Sequence, residues 1–248
     1  GVTPPKNGRL LRNLILGANY IQSHILHFYH LSALDFVDIA AVLSYNGAER
    51  LLLDLKAWAL AQTASKSLYP LAPFLPRYEG KYIEDLGLNL LGIRHYVEGL
   101  EMRKLAHEMG AVFAGKMPHP ATLMAGGVTE HATATKIAAY ASRLNKLQAF
   151  INDAYLPDVE AVALAFPDYF KIGRGCGNFL SYGNFPETDN DSTRMFPAGV
   201  LLDGKSGALN PQAITESVKY SYFSSPSGLH PSVGQTIPEP EKAGAYSW

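Results

Sequence analysis

The stretch NGRLLRNLILGANYIQSHILHFYHLSAL, from Asn7 to Leu34, decides the fold class. Leu11, Leu14, Ala18, Ile21, Ile25 and Phe28 recur at alternating steps of three and four, which is the spacing of one α-helical face. Leu10, Ile15 and Leu16 add apolar surface on the other sides. A helix that is apolar nearly all round is expected to be buried. Pro4 and Pro5, just ahead, suit a first helical turn, where a missing amide donor costs nothing.

Working outward, a second helix is expected from about Ala48 to Leu68, and Tyr69 to Tyr78, with three prolines, is expected to be irregular. A third helix is read over Tyr96 to Phe113 and a fourth over His131 to Ala154, with Pro157 separating the fourth from a short helical piece. Gly115 to Gly127 reads as a loop. After about Phe170 the pattern changes to Gly, Pro, Asn and aromatic residues. Phe179 to Tyr182 and Ala198 to Leu202 read as short strands, Pro211 to Tyr220 as a short helix, and Ser224 to Lys242 as extended chain. The expected fold is mainly α with a smaller irregular α+β part. Residues 1–170 supply long buried helices of a bundle, and residues 171–248 the strands.

A chain of 248 residues can bury a sizeable core. Hydrophobic residues make up 47% and charged residues 17%, a balance too apolar for a disordered chain. The low charge fraction is consistent with a surface partly covered by a partner. The formal net charge of −1 offers no electrostatic case for nucleic acid. No apolar run approaches the length of about 18 residues that a transmembrane helix needs. The start, Gly1-Val2-Thr3-Pro4-Pro5, has neither an initiator Met nor a signal sequence, so the chain reads as cut from something longer. One cysteine, Cys176, allows no internal disulfide and no thiolate cage.

Several motifs carry candidate chemistry. His24, His27 and His30 stand three apart on the first helix, and imidazoles so spaced can share a metal. Each step of three turns the helix by about 300°, however, so the outer two diverge, and no Glu or Cys completes the set. Locally hydrogen-bonded histidines are the alternative. Gly199-Val-Leu-Leu-Asp-Gly-Lys-Ser206 matches a P-loop by letter. Its middle looks like a strand ending in an Asp203-Gly204 turn, and Gly207 and Pro211 leave no room for the helix a P-loop opens. Cys176 lies between glycines near Arg174, which could lower a thiol pKa; simple packing is the alternative. Asn190-Asp191-Ser192 is a glycosylation pattern that matters only on a secretory route. In Gly115-Lys-Met-Pro-His-Pro120, two prolines fix the backbone around His119. Gly126-Gly127 permits a tight turn, and Thr129 is a candidate N-cap for the next helix.

Taken together, the segments resemble the large subunit of nickel–iron hydrogenases. The matching runs are Asn7 to Leu14, Gln22-Ser-His-Ile-Leu-His-Phe-Tyr-His-Leu31, Ala33-Leu-Asp-Phe-Val-Asp38, and Gly115-Lys-Met-Pro-His119. They continue with Gly126-Gly-Val-Thr129, Gly177-Asn-Phe-Leu-Ser-Tyr-Gly183 and Gly244-Ala-Tyr-Ser-Trp248. They fall in the family's order and span nearly the whole chain.

The resemblance implies a parent that oxidises dihydrogen reversibly to protons and electrons at a nickel–iron centre held by two cysteine pairs. Those pairs, a proton-passing glutamate and a Lys-Ala-Pro-Arg segment would all lie outside residues 1–248, and Cys176 matches no ligand position. The chain is therefore expected to be the central segment of that subunit, binding no metal and inactive alone. His119 resembles the family histidine that faces the small subunit near an iron–sulfur cluster. His27 and His30 are weaker candidates for a supporting or subunit-facing role. The implied partners are an iron–sulfur small subunit and an electron acceptor such as a membrane cytochrome, with a periplasmic or membrane-associated location. Two alternatives stand beside this reading: a metal-free scaffold, like the hydrogenase-derived subunit of a respiratory complex, and a nucleotide-binding protein through Gly199 to Ser206.

Overall fold

A computed structural model describes residues 2–64, 79–188, 193–224, 228–233 and 237–246. The proline-rich stretch Tyr69 to Tyr78 and the sequon at Asn190 lie outside the described residues, as does the end of the expected second helix. The chain divides into two compact units, Gly1–Arg174 with Pro186–Thr193, and Gly175–Phe185 with Arg194–Trp248.

The first unit is helical. Helix α1 spans Lys6–His27 and runs on through a wide π-turn, Phe28–Ser32, into a 3-10 turn, Ala33–Asp35. Its buried stripe is Leu11, Ile15, Ala18, Gln22 and Ile25, continued by Tyr29. This stripe is rotated from the one read in the sequence. Leu14 and Leu10 are exposed, so α1 is not covered all round in this chain. The reason is small residues: a Cβ on Gly110 would come within 3.3 Å of the Ala18 Cβ, so the partner helix approaches on the Ala18 side.

That partner is α3, Leu86–Ala114. Helix α2, Arg50–Ala64, precedes it after a 3-10 turn at Ile39–Ser44. Helix α3 begins ten residues before the expected start. Asp85 caps it, its carboxylate accepting from the Leu88 amide at 2.8 Å. Gly87, Asn89 and Gly92, all poor helix formers, hide that first stretch from a propensity reading. Asn89 is buried for a structural reason: its amide donates to the Ile83 carbonyl at 2.7 Å and its oxygen accepts from the Asp38 amide at 2.8 Å.

Strands β1 (Leu123–Met124) and β2 (Gly127–Val128) form a small antiparallel hairpin in the loop after α3. Thr129 is not a helix cap: its amide donates to the Thr122 carbonyl at 2.9 Å and closes this loop. The cap of α4, Ala134–Phe150, is Thr133, whose hydroxyl accepts from the Lys136 amide. Nor does Pro157 interrupt the helix. A π-turn at Ile151–Tyr155 leads into α5, Leu156–Ala165, with Pro157 in its first turn. Proline is tolerated in the first turn of a helix, where its fixed φ suits the helical backbone.

Two apolar clusters hold this unit. One gathers Leu11, Ile25, Tyr29, Met109, Phe113, Leu147 and Phe150 from α1, α3 and α4. The other gathers Val37, Val42, Leu52, Ile93 and Phe166 around α2 and α3. The polar edge of α1 holds the returning segment 186–188. Arg9 donates to the Glu187 carbonyl at 3.0 Å, and Asn13 to the Pro186 carbonyl at 2.9 Å.

The second unit has the expected strand character. Strand β3, Phe179–Ser181, pairs antiparallel with β6, Gly199–Leu202, which pairs with β7, Lys205–Gly207. Between them in sequence, β4 (Asn184–Pro186) and β5 (Arg194–Phe196) form a two-stranded sheet. Gly183, at φ 82°, cannot be replaced freely: a Cβ there would lie 2.9 Å from the Ala198 amide nitrogen. The expected helix at Pro211 to Tyr220 shrinks to a 3-10 turn, Pro211–Ala213, started by the Asn210 side chain. Glu216 then pairs with Leu229 across extended chain, which removes the amides a helix would need.

Candidate functional site

The His119 loop is built on α1. Arg12 donates through Nε to the Gly127 carbonyl at 3.2 Å and through Nη2 to the Met124 carbonyl, fastening the β1–β2 hairpin to the helix. At the loop's other end, the Ala121 amide donates to the Ala114 carbonyl at 2.9 Å and the Thr122 hydroxyl to the Phe113 carbonyl at 2.7 Å. Met117 packs back on the main core cluster. Between these anchors stands His119, exposed, with Pro118 and Pro120 on either side.

The His119 backbone has φ 62°, the left-handed region. For a residue other than glycine this costs on the order of 1–3 kcal/mol, and it persists only where the surroundings enforce it. Here the anchored loop and two prolines do so. Among the described residues no hydrogen bond reaches the imidazole. Beside it lies a cleft of about 490 Å³ lined by Arg12, Asn19, Met117 and His119. The loop thus offers a ring with two free nitrogens at an enforced orientation, on a surface that a partner can reach.

The helix-one histidines do not come together. His24 and His27 are exposed near the end of α1. His30, in the π-turn, faces α3. Its Nε2 lies 3.0 Å from the Tyr96 carbonyl and its Nδ1 3.4 Å from Arg103 Nη1. A guanidinium can only donate and a carbonyl only accept, so His30 carries its proton on Nε2 and is neutral. Burial lowers its pKa, and the nearby Arg103 charge lowers it further, against the Tyr96 hydrogen bond. The locally bonded alternative thus describes His30 and not the exposed His24 and His27.

Sequence reasoning missed a polar cluster enclosed between the helices. Asp158, in the first turn of α5, accepts on one oxygen from the Tyr29 hydroxyl at 2.7 Å and from His95 Nδ1 at 2.7 Å. Arg94 Nη2 lies 2.9 Å from His95 Nε2, and a guanidinium only donates, so Nε2 accepts and Nδ1 donates to Asp158. Burial first, then the Asp158 hydrogen bond and charge, push the Tyr29 hydroxyl far above its ordinary pKa. The junction ties α1's π-turn, α3 and α5 together. Tyr29 and Asp158 are 129 positions apart, and no sequence spacing announces such a pair.

The P-loop reading fails on geometry. Lys205 and Ser206 lie in strand β7, paired with Leu202 and Leu201, and no helix opens there. Asp203 and Gly204, at φ 48° and 76°, make a two-residue hairpin turn. Cys176 is exposed, with its sulfur 4.0 Å from the Asn178 carbonyl.

The sequence model of nickel-dependent hydrogenases matches residues 1–248. The chain belongs to that family. It is 40% identical over its full length to the periplasmic [NiFeSe] hydrogenase large subunit of Desulfomicrobium baculatum, of which it covers 45%. It is 29% identical over 98% of its length to the hydrogenase-2 large chain of Escherichia coli K12, covering 49% of that chain. Its structure is similar to that of the reduced Ni-Fe-Se hydrogenase of Desulfovibrio vulgaris Hildenborough, with a TM-score of 0.82 at 40% identity over 99% of this chain and 46% of that one. The chain thus spans about half the length of the relatives it matches.

The family implies a nickel–iron centre. Among the described residues no group of three or more His, Cys, Asp or Glu side chains is placed to hold a metal ion. The donors present do not fit such a centre, and no step through it follows from them. No helix among the described residues is long and apolar enough to cross a membrane.

Proposed function

We propose that this chain is the middle part of a hydrogenase large subunit, whose whole protein converts dihydrogen reversibly to two protons and two electrons. The observation that carries the reading is the family match along all 248 residues, with hydrogenase large subunits as its relatives. A metal-free scaffold subunit is not favoured, since those relatives are named as hydrogenases. In this reading the nickel–iron centre is held by cysteines outside this chain. The chain supplies the helices around that centre and the surface that meets an iron–sulfur small subunit. The electrons leave through that subunit to an acceptor such as a membrane cytochrome, in a periplasmic or membrane-associated enzyme.

His119 is assigned the small-subunit-facing role. Its enforced backbone, exposure and free ring nitrogens support this, because a hydrogen bond or charge next to an iron–sulfur cluster shifts the cluster's potential. His27, exposed, is a second subunit-facing candidate. His30 acts as a support for α3, since both its nitrogens are engaged. The test is His119→Ala in the complete enzyme, which should change the potential of the nearest cluster and the ratio of hydrogen oxidation to evolution. Unchanged potential and kinetics would remove the assignment. This chain purified alone should retain no stoichiometric nickel, and tight stoichiometric nickel with hydrogen oxidation would overturn the placement of the metal ligands.

A further inference from the structure

Tyr29 stands inside the helical unit with its hydroxyl aimed at a base. It is 1% exposed, and the hydroxyl donates to Asp158 Oδ2 at 2.7 Å. The same oxygen accepts from His95 Nδ1 at 2.7 Å, and both of these partner side chains are enclosed, at 11% and 6% exposure. A base must lie within about 2.6–3.2 Å of the atom whose proton it takes, and this carboxylate does. Tyr140 makes the contrast. It is also buried, but its hydroxyl donates to the Leu14 carbonyl at 2.8 Å, and a backbone carbonyl does not take up a proton.

Electrostatics decide what the pair can do. Burial and Asp158 keep the Tyr29 hydroxyl protonated, which closes oxidation through a phenolate. Removing an electron alone would leave a buried radical cation, and a low-dielectric interior strongly disfavours that charge. Moving the proton at the same time leaves a neutral phenoxyl and a neutral carboxylic acid, so the pair ends with one buried charge fewer. Asp158 and Glu98 also place negative charge near the phenol, which favours loss of an electron. Tyr155, half-buried, has its ring centroid 6.0 Å from that of Tyr29 and offers the electron a way towards the surface. We propose that Tyr29 is a redox-active tyrosine, which gives one electron to a strong outer-sphere one-electron oxidant while its proton passes to Asp158. The Tyr29 O–H bond breaks and an O–H bond forms at Asp158 Oδ2. The oxidant gains the electron, and Tyr29 becomes a neutral phenoxyl radical. A returning electron brings the proton back. His95 Nδ1 donates to Oδ2 throughout and holds the carboxyl in place. All members belong to this chain, so the step does not rest on the hydrogenase assignment.

Photogenerated ruthenium(III) tris-bipyridine is the oxidant probe, applied to the intact protein, and electron paramagnetic resonance reads the radical. The sequence holds 14 tyrosines, so selectivity is the deciding readout. One tyrosyl radical should dominate, with a single ring orientation and relaxation that a soluble gadolinium chelate does not change. Electron–nuclear double resonance should show one exchangeable proton hydrogen-bonded to its oxygen, and the radical should form more slowly in heavy water. Tyr29→Phe should remove this signal. Asp158→Asn keeps the shape but not the base, and should slow formation about a hundredfold, the lower end of what a positioned base contributes. Tyr140→Phe should leave the signal unchanged. The proposal is overturned by radicals that the chelate relaxes, by a dominant radical without a hydrogen-bonded exchangeable proton, or by a signal that survives Tyr29→Phe. It is also overturned if a folded Asp158→Asn protein forms the radical at the parent's rate. The chelate and double-resonance measurements need no variant and decide the matter even if both variants misfold.

Discussion

The two units of this chain are held by different forces. In the helical unit, Met109, Leu147 and Phe113 are 0%, 0% and 1% exposed, and two apolar clusters join its helices. In the strand-containing unit no described residue is buried, and Phe179 and Met195 are 66% and 64% exposed. Backbone pairing holds it instead. The β3–β6–β7 ladder is reinforced by Asn178 accepting from the Asp203 amide at 2.9 Å, and the later extended segment is tied by Lys242 bridging the Val218 and Phe223 carbonyls at 2.7 and 2.6 Å. Hydrophobic burial is cooperative and strong, whereas exposed backbone hydrogen bonds compete with water. The helical unit should therefore open only globally and the strand unit locally.

The largest test of this contrast deletes side chains on both sides. Phe113→Ala should cost about 3–5 kcal/mol of unfolding free energy, the range for a fully buried phenylalanine. Phe179→Ala should cost within about 0.5 kcal/mol, as for exposed positions. Denaturant unfolding followed by circular dichroism measures both, and comparable losses would dissolve the distinction. Amide exchange should likewise be slowest in α1 and α3, and fast in β3 and β7.

Next in size is the buried junction that links the helices. Asp158→Leu removes the acceptor shared by Tyr29 and His95, and should cost about 1.5–3 kcal/mol, the worth of hydrogen bonds to a charged group. The His95 nitrogen resonances should at the same time lose the signature of a proton fixed on Nδ1. A stable variant with that signature intact would refute the assigned network.

A smaller effect belongs to the cap of α3. Asp85→Ala should lower stability by about 1 kcal/mol through the orphaned Leu88 amide. A loss confined to the first turn, seen in amide exchange, would show that the core and not the cap keeps the helix in place.

The subtlest test is acidification. Burial, and then Arg103, lower the pKa values of His30 and His107 below the ordinary histidine value, although the Tyr96 hydrogen bond acts the other way on His30. The unfolded chain then binds more protons than the folded one once the pH drops below about 6.5. Stability from these groups is present above that pH and is lost as the pH falls through their folded values. His30→Gln should flatten the slope of unfolding free energy below pH 6.5 in the helical unit. An unchanged slope would mean that His30 titrates as it does in water.

Much of the helical unit was legible in the sequence. The three-and-four spacing from Leu11 to Phe28 located α1, and in the second unit the short runs Phe179 to Tyr182 and Ala198 to Leu202, bounded by turn residues, located β3 and β6. The start of α3 was not legible, because Gly87, Asn89 and Gly92 weaken propensity where Asp85 and tertiary contacts restore the helix. Of the candidate site, the His119 loop was legible because its prolines and glycines constrain backbone locally. The Tyr29–Asp158–His95 junction was not, since its members come from three elements and only packing brings them together.

The sequence by itself determined local matters here: the helical period, the proline-framed His119, the Asp203-Gly204 turn and the family motifs. Each depends on residues a few positions apart, where backbone sterics and hydrogen bonding act directly. Tertiary structure alone decided which face of α1 is buried, which histidines are engaged and which stand free, and which strand β6 pairs with on its other edge. Those outcomes depend on distant segments meeting, and in this chain small residues such as Ala18 and Gly110 set where the helices approach.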